Sequence, residues 1–174
     1  AMNPVLAIPN QIPAVAGGQV KVPIILNRND SNVGSLLFSL DYDETWLHLD
    51  PADHDGNGMP DAITFTLPAE FVTTVAFAPD DTDGELDFPI GNFAATPAAL
   101  PNGPLATVIL TASQPTVATT ARVGFAQTPA ASFGHPAGTE VVGVTTDGSV
   151  LIGVQPANPL PNHVSYLPLI NAGQ

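Results

Sequence analysis

The chain has 174 residues, with 16 Asp and Glu against three Lys and Arg, and no cysteine. A surface this acidic repels phosphate backbones and anionic lipid, which argues against nucleic-acid and membrane-surface partners. Without cysteine, neither a disulfide nor a thiolate metal site is available. The abundance of apolar residues excludes a disordered chain, and no apolar run is long enough to cross a bilayer.

Helical periodicity is almost absent, while strand alternation recurs along the chain. Val5 to Ile8 is a short apolar strand. Gly17-Gly18 turns into Gln19 to Leu26, where Val20, Val22, Ile24 and Leu26 share one face. Pro23 cannot donate to a ladder, so this strand is expected at a sheet edge or with a bulge. After the polar turn Asn27 to Asn32, Val33 to Tyr42 is the longest strand. Leu36, Phe38, Leu40 and Tyr42 form its core face; Val33, Ser35, Leu37, Ser39 and Asp41 form the other. Leu37 is then an apolar group pointing away from the core, either a contact point or a residue covered by a second element.

Trp46 to Leu49 leads into the most specific stretch of the chain, Asp53 to Asp61, reading DHDGNGMPD. Oxygen donors alternate along it: the carboxylates of Asp53, Asp55 and Asp61, the amide of Asn57 and the backbone carbonyl of Met59. Gly58 falls at the sixth position, where a calcium loop turns sharply and a Cβ would obstruct it. Hard oxygen ligands with no sulfur favour calcium over zinc or copper. The twelfth position is Thr64, where a bidentate Glu normally closes such a site. Either the loop binds weakly, or another carboxylate completes the shell, with Asp50 and the Asp80, Asp81, Asp83 cluster as candidates.

Ile63 to Phe65 leaves the loop, and Pro68 to Val72 is compatible with one helical turn. Thr73 to Ala78 and Glu85 to Ile90 read as strands around the acidic Asp80 to Gly84 turn. Leu86, Phe88 and Ile90 face inward; Glu85 and Asp87 face out. A Pro-rich loop, Ala94 to Pro104, precedes strands at Leu105 to Ala112 and Ala121 to Gln127. Pro129 to Gly138 reads as irregular. Val141 to Val144, the Asp147-Gly148 turn and Val150 to Ile152 carry a hairpin signal. About nine strands with turn chemistry between them predict an all-β, two-sheet β-sandwich or jelly roll over residues 3–153. Beyond it, Gln155 to Asn162 reads as a Pro-rich linker. The apolar Val164 to Ile170 could fold back, add to a sheet edge or dock on a neighbouring molecule.

No nucleophile–base constellation is present: G-x-S-x-G, H-E-x-x-H and a nucleophilic Cys are all missing, and the four histidines are scattered. Glu70, Glu85, Asp87 and Glu140 could supply a carboxylate pair, but surface solvation accounts for each equally well. An enzyme is not expected. A sugar-binding module is the main rival to a protein-binding one, yet its aromatic platform would have to come from Trp46, Tyr42 and Tyr166. A third possibility is a structural spacer of a surface protein.

Several segments, in order, resemble the cohesin family. Gly17-Gly18-Gln19-Val20-Lys21-Val22-Pro23-Ile24 is similar to the family's second strand. Phe38-Ser39-Leu40-Asp41-Tyr42-Asp43, followed by Trp46-Leu47, is similar to its F-x-L-x-Y-D-x-x-x-L segment. Gly103 to Val108 and Thr146 to Val150 are similar to two later strands. The resemblance implies a secreted or cell-surface, non-catalytic jelly roll that binds a dockerin or dockerin-like module on one sheet. Carried over, that face includes Ser35, Leu37, Ser39, Glu85 and Asp87, with residues of Thr73 to Ala78 and Ala121 to Gln127. Ser35 and Leu37 stand where many members have Asn and Asp, which implies a more apolar recognition surface. The calcium-type loop is an addition to the family pattern between its fourth and fifth strands.

Overall fold

The computed structural model describes residues 2–77 and 84–153. Fourteen short strands follow one another among these residues: β1 Val5–Ala7, β2 Ile12–Ala14, β3 Gln19–Asn27, β4 Ser35–Tyr42, β5 Leu47–Leu49, β6 Ile63–Phe65, β7 Phe71–Thr73, β8 Glu85–Asn92, β9 Gly103–Ala112, β10 Thr119–Phe125, β11 Ser132–Gly134, β12 Glu140–Val141, β13 Val144–Thr146 and β14 Gly148–Ile152. They build two sheets. The first runs β13-β1-β3-β9, with β5 and β6 both paired to the far edge of β9. The second holds β12, β11, β4, β10, β14 and β2 in that order, with β8 on β4 and β7 on β8. Because β8 pairs along Leu36 to Asp41, β11 and β10 share the opposite edge of β4. This is the all-β sandwich that strand alternation implies.

The core lies between the sheets and is made by alternation. Val20, Val22, Ile24 and Leu26 of β3 are buried, as are Leu36, Phe38, Leu40 and Tyr42 of β4 and Leu86, Phe88 and Ile90 of β8. Phe38 stacks on Phe88 with ring centroids 5.0 Å apart and meets Phe125 edge-on at 5.8 Å. Phe65 of the first sheet meets Phe88 of the second at 6.0 Å, so aromatic contact ties the layers together. Pro23 sits where β3 pairs only with β9, since β1 covers just Ile25 to Asn27. The register shifts immediately afterwards, which leaves Leu105 as the extra residue of a bulge on β9. Both Leu105 and Ala106 are consequently buried in succession.

Several sequence expectations need correction: Val33, expected on the outer face of its strand, is buried in the core ahead of β4. Pro68 to Val72 is not helical: the Phe71 N–H donates to the Pro68 carbonyl at 3.0 Å, closing a tight turn that opens β7. The strand expected over Thr73 to Ala78 is Phe71–Thr73 instead, followed by a lone bridge from Ala76 to Asp87; Ala78 lies outside the described residues. Asp147-Gly148 is not a hairpin turn. β13 pairs in parallel with β1 in the first sheet, whereas β14 pairs with β10 and, in parallel, with β2 in the second. The chain changes sheets at this dipeptide, and the N-terminal segment changes sheets beside it between β1 and β2. The two crossings are laced together by Ile8 N–H to Thr146 O at 3.0 Å and Ser149 N–H to Pro9 O at 3.1 Å. The expected linker and apolar tail, 154–174, and the candidate ligands Asp80, Asp81 and Asp83 lie outside the described residues.

Candidate binding face and metal loop

The loop is an excursion from one edge strand. On β9, Leu110 to Ala112 pair with β5, and Ala106 to Val108 pair with β6. Only Ile109 lies between, and its N–H donates to the Ala62 carbonyl at 2.8 Å. β5 and β6 are thus two halves of one strand, and residues 50–61 bulge out of it. Its neck is closed by Asp61 N–H to Ala52 O at 2.8 Å and anchored by buried Pro60 and half-buried Met59, which packs on the core.

Within the loop, side chains organise the backbone. The Asp53 carboxylate accepts N–H bonds from Gly58 at 2.8 Å, Gly56 at 2.9 Å and Asn57 at 3.1 Å. The Gly58 bond, with those of its neighbours, holds the Asp53 carboxyl below its ordinary range. That stabilising share is present at neutral pH and lost only as pH falls through the lowered value. The Asn57 amide donates to Asp55 at 2.9 Å and accepts from Met59 N–H at 2.8 Å. One carboxylate oxygen each from Asp53, Asp55 and Asp61 lies within 4.8 Å of the others. Calcium–oxygen bonds of about 2.4 Å put opposite ligands about 4.8 Å apart, so this spacing suits a single ion. Gly56 and Gly58 adopt φ of 70° and 84°, and nothing lies within 4 Å of a Cβ at either. Glycine is required there by the left-handed backbone rather than by crowding, which corrects the expected reason.

Among the described residues, neither Thr64 nor Asp50 joins the cluster. Thr64 is a strand residue of β6, paired with Thr107. Asp50 accepts the Ala52 N–H at 3.0 Å. His54 is exposed, but its Nδ1 lies 2.5 Å from Asp61. The Asp61 hydrogen bond raises the His54 pKa. The spacing pattern marks His54 only as a non-ligand, so nothing in the sequence reveals this partner.

The second sheet carries the other candidate site. Its outer face shows Ser35, Leu37, Ser39 and Asp41 from β4, beside Glu85, Asp87 and Pro89 from β8. Leu37 is 48% exposed and stands opposite Pro89 on one side and Ser132 on the other, so no second element covers it among the described residues. Ser39 shares the face but is buried at 3%, because its hydroxyl donates to the Asp87 carboxylate opposite. It therefore orients Asp87 rather than offering surface of its own. Arg122 of β10 lies across the same face, 2.7 Å from both Asp41 and Asp147.

Asp147 also accepts the Phe125 N–H at 3.0 Å, and its carboxylate lies over Gly124, where a Cβ would meet it at 2.5 Å or less. It fastens the sheet crossing to β10. Asp147→Ala leaves that N–H and Arg122 without this acceptor, and is expected to cost about 1–2 kcal/mol in urea unfolding.

Two packed sheets, one with an open outer face, define a jelly-roll module. Its likeness to solved structures is to cohesins. One is the sixth cohesin of the Acetivibrio cellulolyticus scaffoldin B, solved with a dockerin: TM-score 0.65, 20% identity, 88% of this chain and 100% of that one. Another is a non-cellulosomal cohesin of the archaeon Archaeoglobus fulgidus: 0.64, 15%, 87% and 91%. A third is the cohesin module of a Clostridium perfringens family 33 glycoside hydrolase: 0.62, 13%, 89% and 100%. The chain has the cohesin fold. No protein-family model and no curated protein matches its sequence.

Proposed function

We propose that the chain is a non-catalytic, extracellular protein-interaction module of the cohesin kind. It binds a dockerin or dockerin-like partner through the outer face of the β4 sheet, at Ser35, Leu37, Glu85 and Asp87, with Ser39 positioning Asp87. The observation that carries this reading is the open face itself: Leu37 is exposed on β4, between β8 and β11, with Asp87 and then Glu85 further along the same face. Several cohesins of the same fold were solved in complex with dockerins. The sugar-binding alternative is less well supported, because Tyr42 is buried, Trp46 packs on the core and Tyr166 lies outside the described residues.

The second part of the proposal is a calcium ion in the 50–61 loop, held by the side chains of Asp53, Asp55, Asn57 and Asp61 and the Met59 carbonyl. The clustered carboxylates and the positive-φ glycines support it. Binding assays against a panel of dockerin modules and a glycan array test the function. A dockerin is expected to bind, and Leu37→Asp to weaken it by about tenfold or more. Binding on the glycan array alone overturns the reading.

A further inference from the structure

Three exposed apolar side chains gather where the chain runs on past the sandwich. Val15 is 65%, Val117 67% and Leu151 38% exposed. The ladder brings them together. Leu151 of β14 stands between Pro13 of β2 and Thr120 of β10, both exposed. One step along, Ile152 stands between Ala14 and Thr119. Val15 therefore comes level with Gly153, whose N–H donates to the Ala14 carbonyl at 2.9 Å. On the other side, the Thr119 hydroxyl donates to the Val117 carbonyl at 2.9 Å, which keeps Val117 beside the start of β10. Pro13, Val15, Val117 and Leu151 thus flank the point where the chain enters residues 154–174. Exposed apolar groups bunched in this way mark a contact surface.

The next stretch of chain matches this patch in chemistry. Residues 154–174 hold no Asp, Glu, Lys or Arg, although the rest of the chain carries 16 acids and three of these bases. Within them, Val164 to Ile170, reading VSYLPLI, is apolar. The patch residues are uncharged too, and the cation further along β10, Arg122, is already engaged by Asp41 and Asp147. A second copy brings another net charge of −13 and is repelled. The segment also has the reach. Residues 154–163 separate it from Gly153. A tether of about ten residues spans up to ~33 Å, against a spacing of ~5 Å between neighbouring strands. It holds its segment at an effective concentration of about a millimolar, so modest apolar contact suffices.

The edge of the sheet is a poor seat for an added strand. Ala14 turns its carbonyl to β14, so Pro13 faces the free edge of β2 and has no N–H to offer. Packing on the side chains is the mode left open. We infer that Val164 to Ile170 folds back over Pro13, Val15, Val117 and Leu151 of its own chain and covers them. The inference rests on the sandwich alone and holds with or without a partner on the β4 face.

The chain has no cysteine, so Ser165→Cys gives the full chain a single site for a nitroxide label. Amide NMR is expected to lose the Val15, Val117 and Leu151 peaks to the label, while those of Leu37 and Ile25 stay. Leu167→Asp with Leu169→Asp puts two carboxylates into the segment and should return the three peaks. Leu151→Asp, on the outward side of β14, should do the same for Val15 and Val117. Peaks still lost after both changes would report only the tether's nearness to Gly153 and overturn the inference. Loss on other faces, or no loss at all, also overturns it. Mixing the labelled chain with an isotope-enriched copy that carries no label gives the last control. Peaks lost in that copy assign the segment to a neighbouring molecule and overturn the inference as well. Peaks lost only within the labelled chain, and regained in the variants, sustain it.

Discussion

Gly148→Ala is expected to lower the melting temperature by about 6–12 °C. A Cβ at Gly148 would lie 2.5 Å from the Ile8 carbonyl and closer still to that of Pro9. Both obstacles are backbone, held by the hydrogen bonds that lace the two sheet crossings, so neither can swing away like a side chain. Overpacking of this kind costs about 3 kcal/mol. At this chain length each kcal/mol moves the melting temperature by about 2–4 °C. Calorimetry of the purified variant measures it. A shift under about 2 °C would mean that the crossings are not in close contact. The glycine is needed for proximity and not for a turn, since Gly148 is absent from the positive-φ residues.

The same dipeptide shows where sequence reading reaches its limit. Asp-Gly between apolar runs is a local signal, and the hairpin it suggests is a local pairing. The partners that decide its real geometry are Ile8 and Pro9, at the other end of the chain. Ile12-Pro13-Ala14 escaped notice as a strand for the same reason: three residues show no period, and only pairing with Val150 to Ile152 makes them β2. Ser132–Gly134 is a comparable case, called irregular but paired to β4. Such splitting at sheet crossings and bulges explains why fourteen segments appear where about nine strands were expected. By contrast, β3, β4, β8, β9 and β10 were legible because each runs for seven or more residues, long enough for alternation or an apolar run to stand out. The outward direction of Leu37, Glu85 and Asp87 follows from that alternation alone. The burial of Ser39 does not, because it depends on which residue stands across the ladder. Phe93 lies just past β8 in an unpatterned loop, and its return over Gly91 is a tertiary fact.

Calcium at about a hundredfold excess over its dissociation constant is expected to raise the melting temperature by about 5–10 °C, equivalent to about 2.7 kcal/mol. Asp55→Ala should remove the gain, since it takes one of three carboxylates from the cluster. A curve indifferent to both calcium and chelator rejects the metal. The strand geometry supplies a sharper control. Joining Leu49 directly to Ala62 removes residues 50–61 and leaves Ala62 opposite Ile109, between the pairs Leu49–Leu110 and Ile63–Val108. Inward and outward positions then continue unbroken through Leu47, Leu49, Ile63 and Phe65. The excised protein should fold, match or exceed the metal-free parent because no loop need be closed, and ignore calcium. It should also keep its partner, since the loop leaves the first sheet and the proposed docking face belongs to the second. An excised variant that still melts higher with calcium would place the ion elsewhere. One that loses its partner would make the loop part of the docking surface, whereas retained binding confines the metal's role to stability.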